Sequence, residues 1–161
     1  MPSVKSFWIG LPFVLAGAAI RLWSAGYLNK MSNLTTAGPF SLCRNPLYVG
    51  SFLICIGYLV MSGRIEVLIV GIFLFWMFHG GAIAYEEKLL KEKFGQSFVD
   101  YCNSVPRFFP VPRSLKGEGS FSIKQVLYNN EYRSLTASIA VSILFALIAY
   151  MPDFAPLQLL K

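Results

Sequence analysis

Leu47-Tyr48-Val49-Gly50-Ser51-Phe52-Leu53-Ile54-Cys55-Ile56-Gly57-Tyr58-Leu59-Val60-Met61-Ser62-Gly63-Arg64, with the apolar run Ile65 to Tyr85 behind it, decides the fold. Two hydrophobic segments, Leu47 to Gly63 and Ile65 to Tyr85, meet at Ser62-Gly63-Arg64, a turn so short that the helices must form a tight antiparallel hairpin. The far ends of such a hairpin are neighbours. Polar residues stand at both: Arg44-Asn45-Pro46-Leu47-Tyr48-Val49-Gly50 opens the first helix, and Glu86-Glu87 closes the second. Pro46 suits a first helical turn, where its missing N–H costs nothing. Topology alone therefore predicts that Arg44, Asn45 and Tyr48 meet Glu86 and Glu87 at one mouth of the hairpin.

Outward from this hairpin, the chain stays apolar. Of 161 residues, 55% are hydrophobic and only 14% charged, too apolar for an ordinary soluble domain. A bilayer core of roughly 30 Å takes about 20 helical residues. Phe7 to Tyr27 and Tyr132 to Met151 supply two further candidates. The expected fold is an all-α integral membrane domain covering residues 1–161, with four transmembrane helices, the helix 2–helix 3 hairpin and interfacial helices at its mouth. Lys5 before the first segment and Ser24 to Gly26 at its end also suit a cleaved leader, but the chain runs straight on into the polar motif, so the segment is read as the first membrane helix. Arg21 lies near the end of that helix, where it either snorkels or forms an ion pair, or else faces a polar interior.

The net charge of +6 is distributed unevenly. Alternate crossings put Lys30, Arg44, Lys88, Lys91, Lys93, Arg107, Arg113, Lys116, Lys124 and Arg133 on one side and leave Lys5, Arg64 and Lys161 on the other. That bias places both polar clusters in the cytoplasm and both termini opposite. The basic surface is expected to meet anionic lipid headgroups, and no nucleic-acid partner is expected.

Asn29 to Ser41 reads as a surface connector. Glu86 to Tyr101, with Leu89, Leu90, Phe94 and Phe98 among Lys and Glu, reads as an amphipathic helix bending off along the interface and ended by Pro106, Pro110 and Pro112. Gly117 and Gly119 suggest a hinge before a second interfacial element, Phe121 to Glu131. In the last helix Ser134, Ser138, Ser142 and Ala146 form a small-residue stripe for packing against the bundle or a second copy. Cys43, Cys55 and Cys102 make no paired framework; Cys43, beside Arg44, is either a low-pKa thiol or a buried inert one, and the second is expected. No metal site is expected, because the one histidine has no paired thiol or second imidazole beside it.

An arginine paired with acids suits a ligand carrying both signs of charge. Arg44 can grip a carboxylate bidentately, while Glu86 or Glu87 can hold an ammonium group or ribose hydroxyls. Acids at a helix C-terminal end oppose the helix dipole, so a plain cap would sooner be basic. Tyr48 shares the helix face of Arg44, and Gly50 allows close approach.

With Phe94-Gly95, Tyr101, Val105-Pro106-Arg107 and Pro110 added, the ordered set from Gly38 to Pro110 closely resembles the membrane methyltransferases typified by isoprenylcysteine carboxyl methyltransferase, with phospholipid methyltransferases as relatives. The resemblance implies an S-adenosylmethionine-dependent enzyme, with its cofactor at the cytoplasmic mouth and a lipophilic or small acceptor entering from the bilayer. It implies that Arg44, Asn45, Tyr48, Glu86, Glu87, Tyr101 and Arg107 surround the cofactor. In-line methyl transfer needs alignment and exclusion of water more than acid or base help. Tyr48, Phe52, Tyr85 and Phe98 are aromatic candidates to face a sulfonium. Two departures leave the acceptor open: Asn45 stands where the family commonly has histidine, and Ala82 and Ile83 occupy the turn where the prenylcysteine enzymes carry an arginine.

His79 lies seven residues before Glu86, on nearly the same helical face. It and Glu86 are the catalytic candidates: His79 could orient or deprotonate an acceptor, or serve as a structural hydrogen bonder. The Arg-x-Pro-x-Tyr motif is also similar to that of sterol-type reductases, whose cofactor is a nicotinamide. A non-catalytic membrane scaffold or sensor, dimeric through the last helix, is the third reading.

Overall fold

The computed structural model describes residues 2–29, 33–111 and 119–151. Among them are six α-helices and no strand: α1 (Val4–Tyr27), α2 (Pro46–Met61), α3 (Ile65–Phe94), α4 (Gln96–Ser104), α5 (Ile123–Tyr128) and α6 (Glu131–Tyr150), with a short 3₁₀ turn at Gly38–Ser41. Lys30, Pro112, Arg113, Lys116, Gly117 and Lys161, which the sequence places in the basic surface, the proline stop and the hinge, lie outside the described residues.

α1 opens with a capping box in which the Ser3 and Ser6 side chains each accept from the other's backbone N–H, at 3.1 and 2.9 Å. It then packs antiparallel against α2 more closely than any other pair. Four glycines set that distance. A Cβ on Gly17 would stand 2.5 Å from the Gly50 carbonyl oxygen, and one on Gly57 would stand 2.8 Å from that of Gly10. Gly10 and Gly17 are seven residues apart, as are Gly50 and Gly57, so each pair lies on one face two turns apart and the backbones touch twice.

α6 runs antiparallel to α1 and is fastened at both ends. The Trp8 indole N–H donates to the Tyr150 hydroxyl at 2.9 Å, and at the other end Arg21 donates to both Glu131 carboxylate oxygens at 2.6 and 2.9 Å. Arg21 also reaches the Ser51 hydroxyl of α2. Of the readings open for Arg21, the ion pair is the one formed. The small-residue stripe of α6 faces inward: the Tyr58 hydroxyl donates to the Ser138 carbonyl at 2.7 Å, and Ala146 packs on the Phe7, Val14 and Met61 cluster.

α2 and α3 are joined through Ser62 to Arg64, with Gly63 at φ +65°, the left-handed region glycine enters without strain. Phe52 lies against Phe75 and Tyr48 against His79, so the two helices run antiparallel. Two lengths differ from expectation. α1, α3 and α6 are long and apolar enough to cross a membrane, whereas α2 has 16 residues, about 24 Å at 1.5 Å each, and falls short of a full span. α3 does not bend off at Glu86 but continues unbroken to Phe94, because nothing between Tyr85 and Phe94 breaks a helix. The break is Gly95, whose φ of +54° turns the chain into α4. The mouth of the hairpin thus has a helical floor that carries Glu86 and Glu87 rigidly.

Candidate active site

Glu87 is the junction of the mouth. Its Oε1 accepts from Arg44 Nε at 3.1 Å and from Asn45 Nδ2 at 3.1 Å, and its Oε2 lies 3.0 Å from Arg107 Nε. α2 and α3 deliver Arg44, Asn45 and Glu87, as the hairpin requires; Arg107 arrives from the segment after α4. That segment folds back along the start of α2, with the Arg44 N–H donating to the Pro106 carbonyl at 2.8 Å and the Val111 N–H to the Leu42 carbonyl at 3.1 Å. Asn45 Nδ2 also donates to the Arg107 carbonyl at 2.9 Å. Arg44 Nη1 donates to the Cys102 and Val105 carbonyls at 3.0 and 3.4 Å. Arg44 and Glu87 therefore bond to one another and form a wall, in place of the open two-pole clamp expected from the sequence.

Glu86 differs from its neighbour. It is exposed, and the Tyr48 hydroxyl donates to its Oε1 at 3.0 Å. Both acids border a cavity of about 300 Å³ that Arg44, Asn45 and Tyr101 also line. The rest of its wall is Leu28, Leu34, Phe40, Leu89, Leu90, Phe94 and Phe98, with Asn29, Asn33, Thr35 and Lys93 at polar positions. Asn29, Asn33, Leu34 and Thr35 of the connector form one side of this cavity, and the Asn-rich composition there was the local signal for it. The Tyr101 hydroxyl is buried and donates to the Phe40 carbonyl at 2.6 Å; burial, first of all, holds its proton above the ordinary phenol range. Cys43 is 1% exposed, and burial pushes its thiol up to about 11, so the inert reading holds.

Of the sequence-predicted residues, Arg44, Asn45, Glu86, Glu87 and Tyr101 share the cavity. Tyr48 and Arg107 touch its acids from outside. His79 stands apart, stacked on Phe75 at 4.1 Å and edge-on to Tyr48 at 5.8 Å. Phe108, which no sequence motif marks, packs with Phe52 and Trp76 and anchors the returning segment. Among the described residues no group of His, Cys, Asp and Glu could hold a metal ion.

Residues 6–97 match the family described as phospholipid methyltransferase. The chain belongs to that family. Curated relatives of two kinds are similar to it. A nickel-cobalt-cadmium resistance protein of Alcaligenes xylosoxydans xylosoxydans and a cobalt-zinc-cadmium resistance protein of Cupriavidus metallidurans are each 32% identical over 117 residues, 71% of this chain. A protein-S-isoprenylcysteine O-methyltransferase of Arabidopsis thaliana is 30% identical over 125 residues, 68% of this chain and 64% of its own length. This chain spans about half the length of the two metal-resistance relatives, 54% of each. The matched region takes in the hairpin, Arg44, Asn45 and both acids, while Arg107 lies beyond it.

Proposed function

We propose that this chain is an integral membrane methyltransferase that takes its methyl group from S-adenosylmethionine bound in the cavity beside Glu86 and Glu87. The observation that carries the reading is that cavity. At about 300 Å³ it lies at the small end of ligand pockets, and it joins an aromatic and aliphatic wall to a rim of two carboxylates, amides and hydroxyls. An aromatic base fits the first, and an ammonium group and ribose hydroxyls fit the second. When bound, the cofactor supplies an activated methyl group on a sulfonium. Phe40, Phe94 and Phe98 give faces that accept a cation and exclude water. Glu86, bonded to Tyr48 alone among the contacts above, is the acid placed to bind the ammonium or hydroxyl groups, while Arg44, Asn45 and Arg107 hold Glu87 in place.

The short α2 packs between α1 and α3 and completes a fourth crossing where the bilayer is locally thinned. The basic residues around the cavity end support a cytoplasmic mouth. The acceptor is lipophilic or small and reaches the mouth from the bilayer. Isothermal titration of the purified protein with S-adenosylhomocysteine tests this reading. Saturable binding, weakened at least tenfold in Glu86→Gln, is expected; no binding at millimolar ligand overturns it.

A further inference from the structure

We propose that Lys93 receives the amino-acid carboxylate of the cofactor, so that S-adenosylmethionine lies along α3 with that carboxylate at the Lys93 end and its ribose hydroxyls at Glu86. The inference rests on the cofactor reading above.

One stripe of α3 faces the cavity. Glu86, Glu87, Leu90, Lys93 and Phe94 all line it, at the spacing of neighbours on one helical face. Lys93 follows Glu86 by seven residues, which is two turns and about 10 Å along the axis. An anion and a cation thus stand at opposite ends of one wall. In an extended S-adenosylmethionine, the amino-acid carboxylate and the ribose hydroxyls are separated by a comparable length. Lys93 Nζ lies 5.5 Å from the ring centroid of Phe94, which borders the same cavity. The ammonium group therefore stands at the cavity edge over an apolar surface.

Charge decides which end takes the carboxylate. Among the described residues lining the cavity, the cations are Arg44 and Lys93. The Arg44 side chain is 14% exposed and donates through Nε to Glu87 and through Nη1 to the Cys102 and Val105 carbonyls. Its charge is already answered by Glu87. A ligand carboxylate brought to that end would face Glu86 and Glu87 together and be repelled. At the other end, Lys93 belongs to the last turn of α3, where the helix's terminal carbonyls disfavour an anion unless a cation accompanies it. A carboxylate seated there depends on the lysine. Lys91 supplies the comparison, since it occupies the same last turn but does not line the cavity.

The test is calorimetric titration of the full chain in detergent with two ligands. One is S-adenosylhomocysteine, and the other is its decarboxylated analogue, which keeps the ammonium group and lacks only the carboxylate. Wild-type protein is expected to bind S-adenosylhomocysteine at least tenfold more tightly than the analogue. Lys93→Gln is expected to weaken S-adenosylhomocysteine about tenfold and to leave the analogue unchanged, so that the preference disappears. Lys93→Arg keeps a cation and should retain the preference. Lys91→Gln removes the same charge from the same turn and should retain it too. Lys93 is exposed, and a loss confined to one ligand also reports that the variant is folded. Wild-type protein that binds neither ligand overturns the cofactor reading and the proposal with it. Equal wild-type affinity for the two ligands, equal weakening of both by Lys93→Gln, or loss of the preference in Lys91→Gln overturns the proposal alone.

Discussion

The Glu87 carboxylate and the Arg44 guanidinium stand 3.1 Å apart, with side chains 16% and 14% exposed, and the same carboxylate holds Asn45 and Arg107. One acid thus joins the start of α2, the last turns of α3 and the segment returning from α4.

That junction predicts unequal effects from two adjacent acids. Glu87→Ala leaves the poorly solvated Arg44 guanidinium and Asn45 amide without their acceptor and is expected to cost about 3 kcal/mol of stability. Glu86→Gln keeps an acceptor for the exposed Tyr48 contact and should change stability by less than about 0.5 kcal/mol. Thermal unfolding in mild detergent separates the two; equal shifts would contradict the assignment of Glu87 as the junction.

The glycine contacts between α1 and α2 predict intolerance of a single methyl group. Gly17→Ala would place a Cβ 2.5 Å from the Gly50 carbonyl oxygen and force the backbones apart, at about 1–3 kcal/mol. Gly81→Ala is the control, since nothing lies within 4 Å of its added Cβ, and alanine favours a helix over glycine by up to about 1 kcal/mol. Melting temperatures should move in opposite directions.

How far the sequence foretold these contacts depends on the range over which each is set. The three-residue turn at Ser62 to Arg64 forces Arg44, Asn45 and Tyr48 against Glu86 and Glu87, so that part of the site follows from helix lengths alone. The Arg107 contact does not, because it depends on backbone pairing of Leu42 and Arg44 with Val111 and Pro106, and nothing local in either segment demands that pairing. The partner of Arg21 was hidden for the same reason: Glu131 lies 110 residues away and reads locally as an acid in the first turn of a helix. Gly10, Gly17, Gly50 and Gly57 carry a legible signal in their matched seven-residue spacing, independent of the polar motif.

Arg21 and Glu131 form a partly buried pair whose members are worth little apart. Glu131→Ala is expected to destabilise by about 3–5 kcal/mol, because Arg21 is left without its counter-charge between helices. The double variant Arg21→Met with Glu131→Met should recover most of that loss. Unfolding of the three proteins in one detergent measures it, and a double variant no better than Glu131→Ala would show that the pair is not the source of the effect.

Cys43 predicts an alkaline limit. Burial raises its thiol from about 9 to about 11, so the folded state holds this proton more tightly than the unfolded state does. Its contribution is full below pH 9 and is lost as pH rises through about 11; Tyr101, raised in the same direction, steepens the decline. Unfolding temperatures taken from pH 7 to 11 should fall only above pH 9. Mass spectrometry after maleimide treatment at pH 7 should find Cys43 unmodified until denaturant is added.

The most direct measurement is titration of S-adenosylhomocysteine into wild-type protein, Glu86→Gln and the distant surface variant Arg64→Gln, with calorimetric readout. Saturable wild-type binding, at least tenfold weaker in Glu86→Gln and unchanged in Arg64→Gln, is the predicted result. Absence of binding to the folded wild type, or identical affinity in all three, would contradict a cofactor site at the cavity beside Glu86 and Glu87.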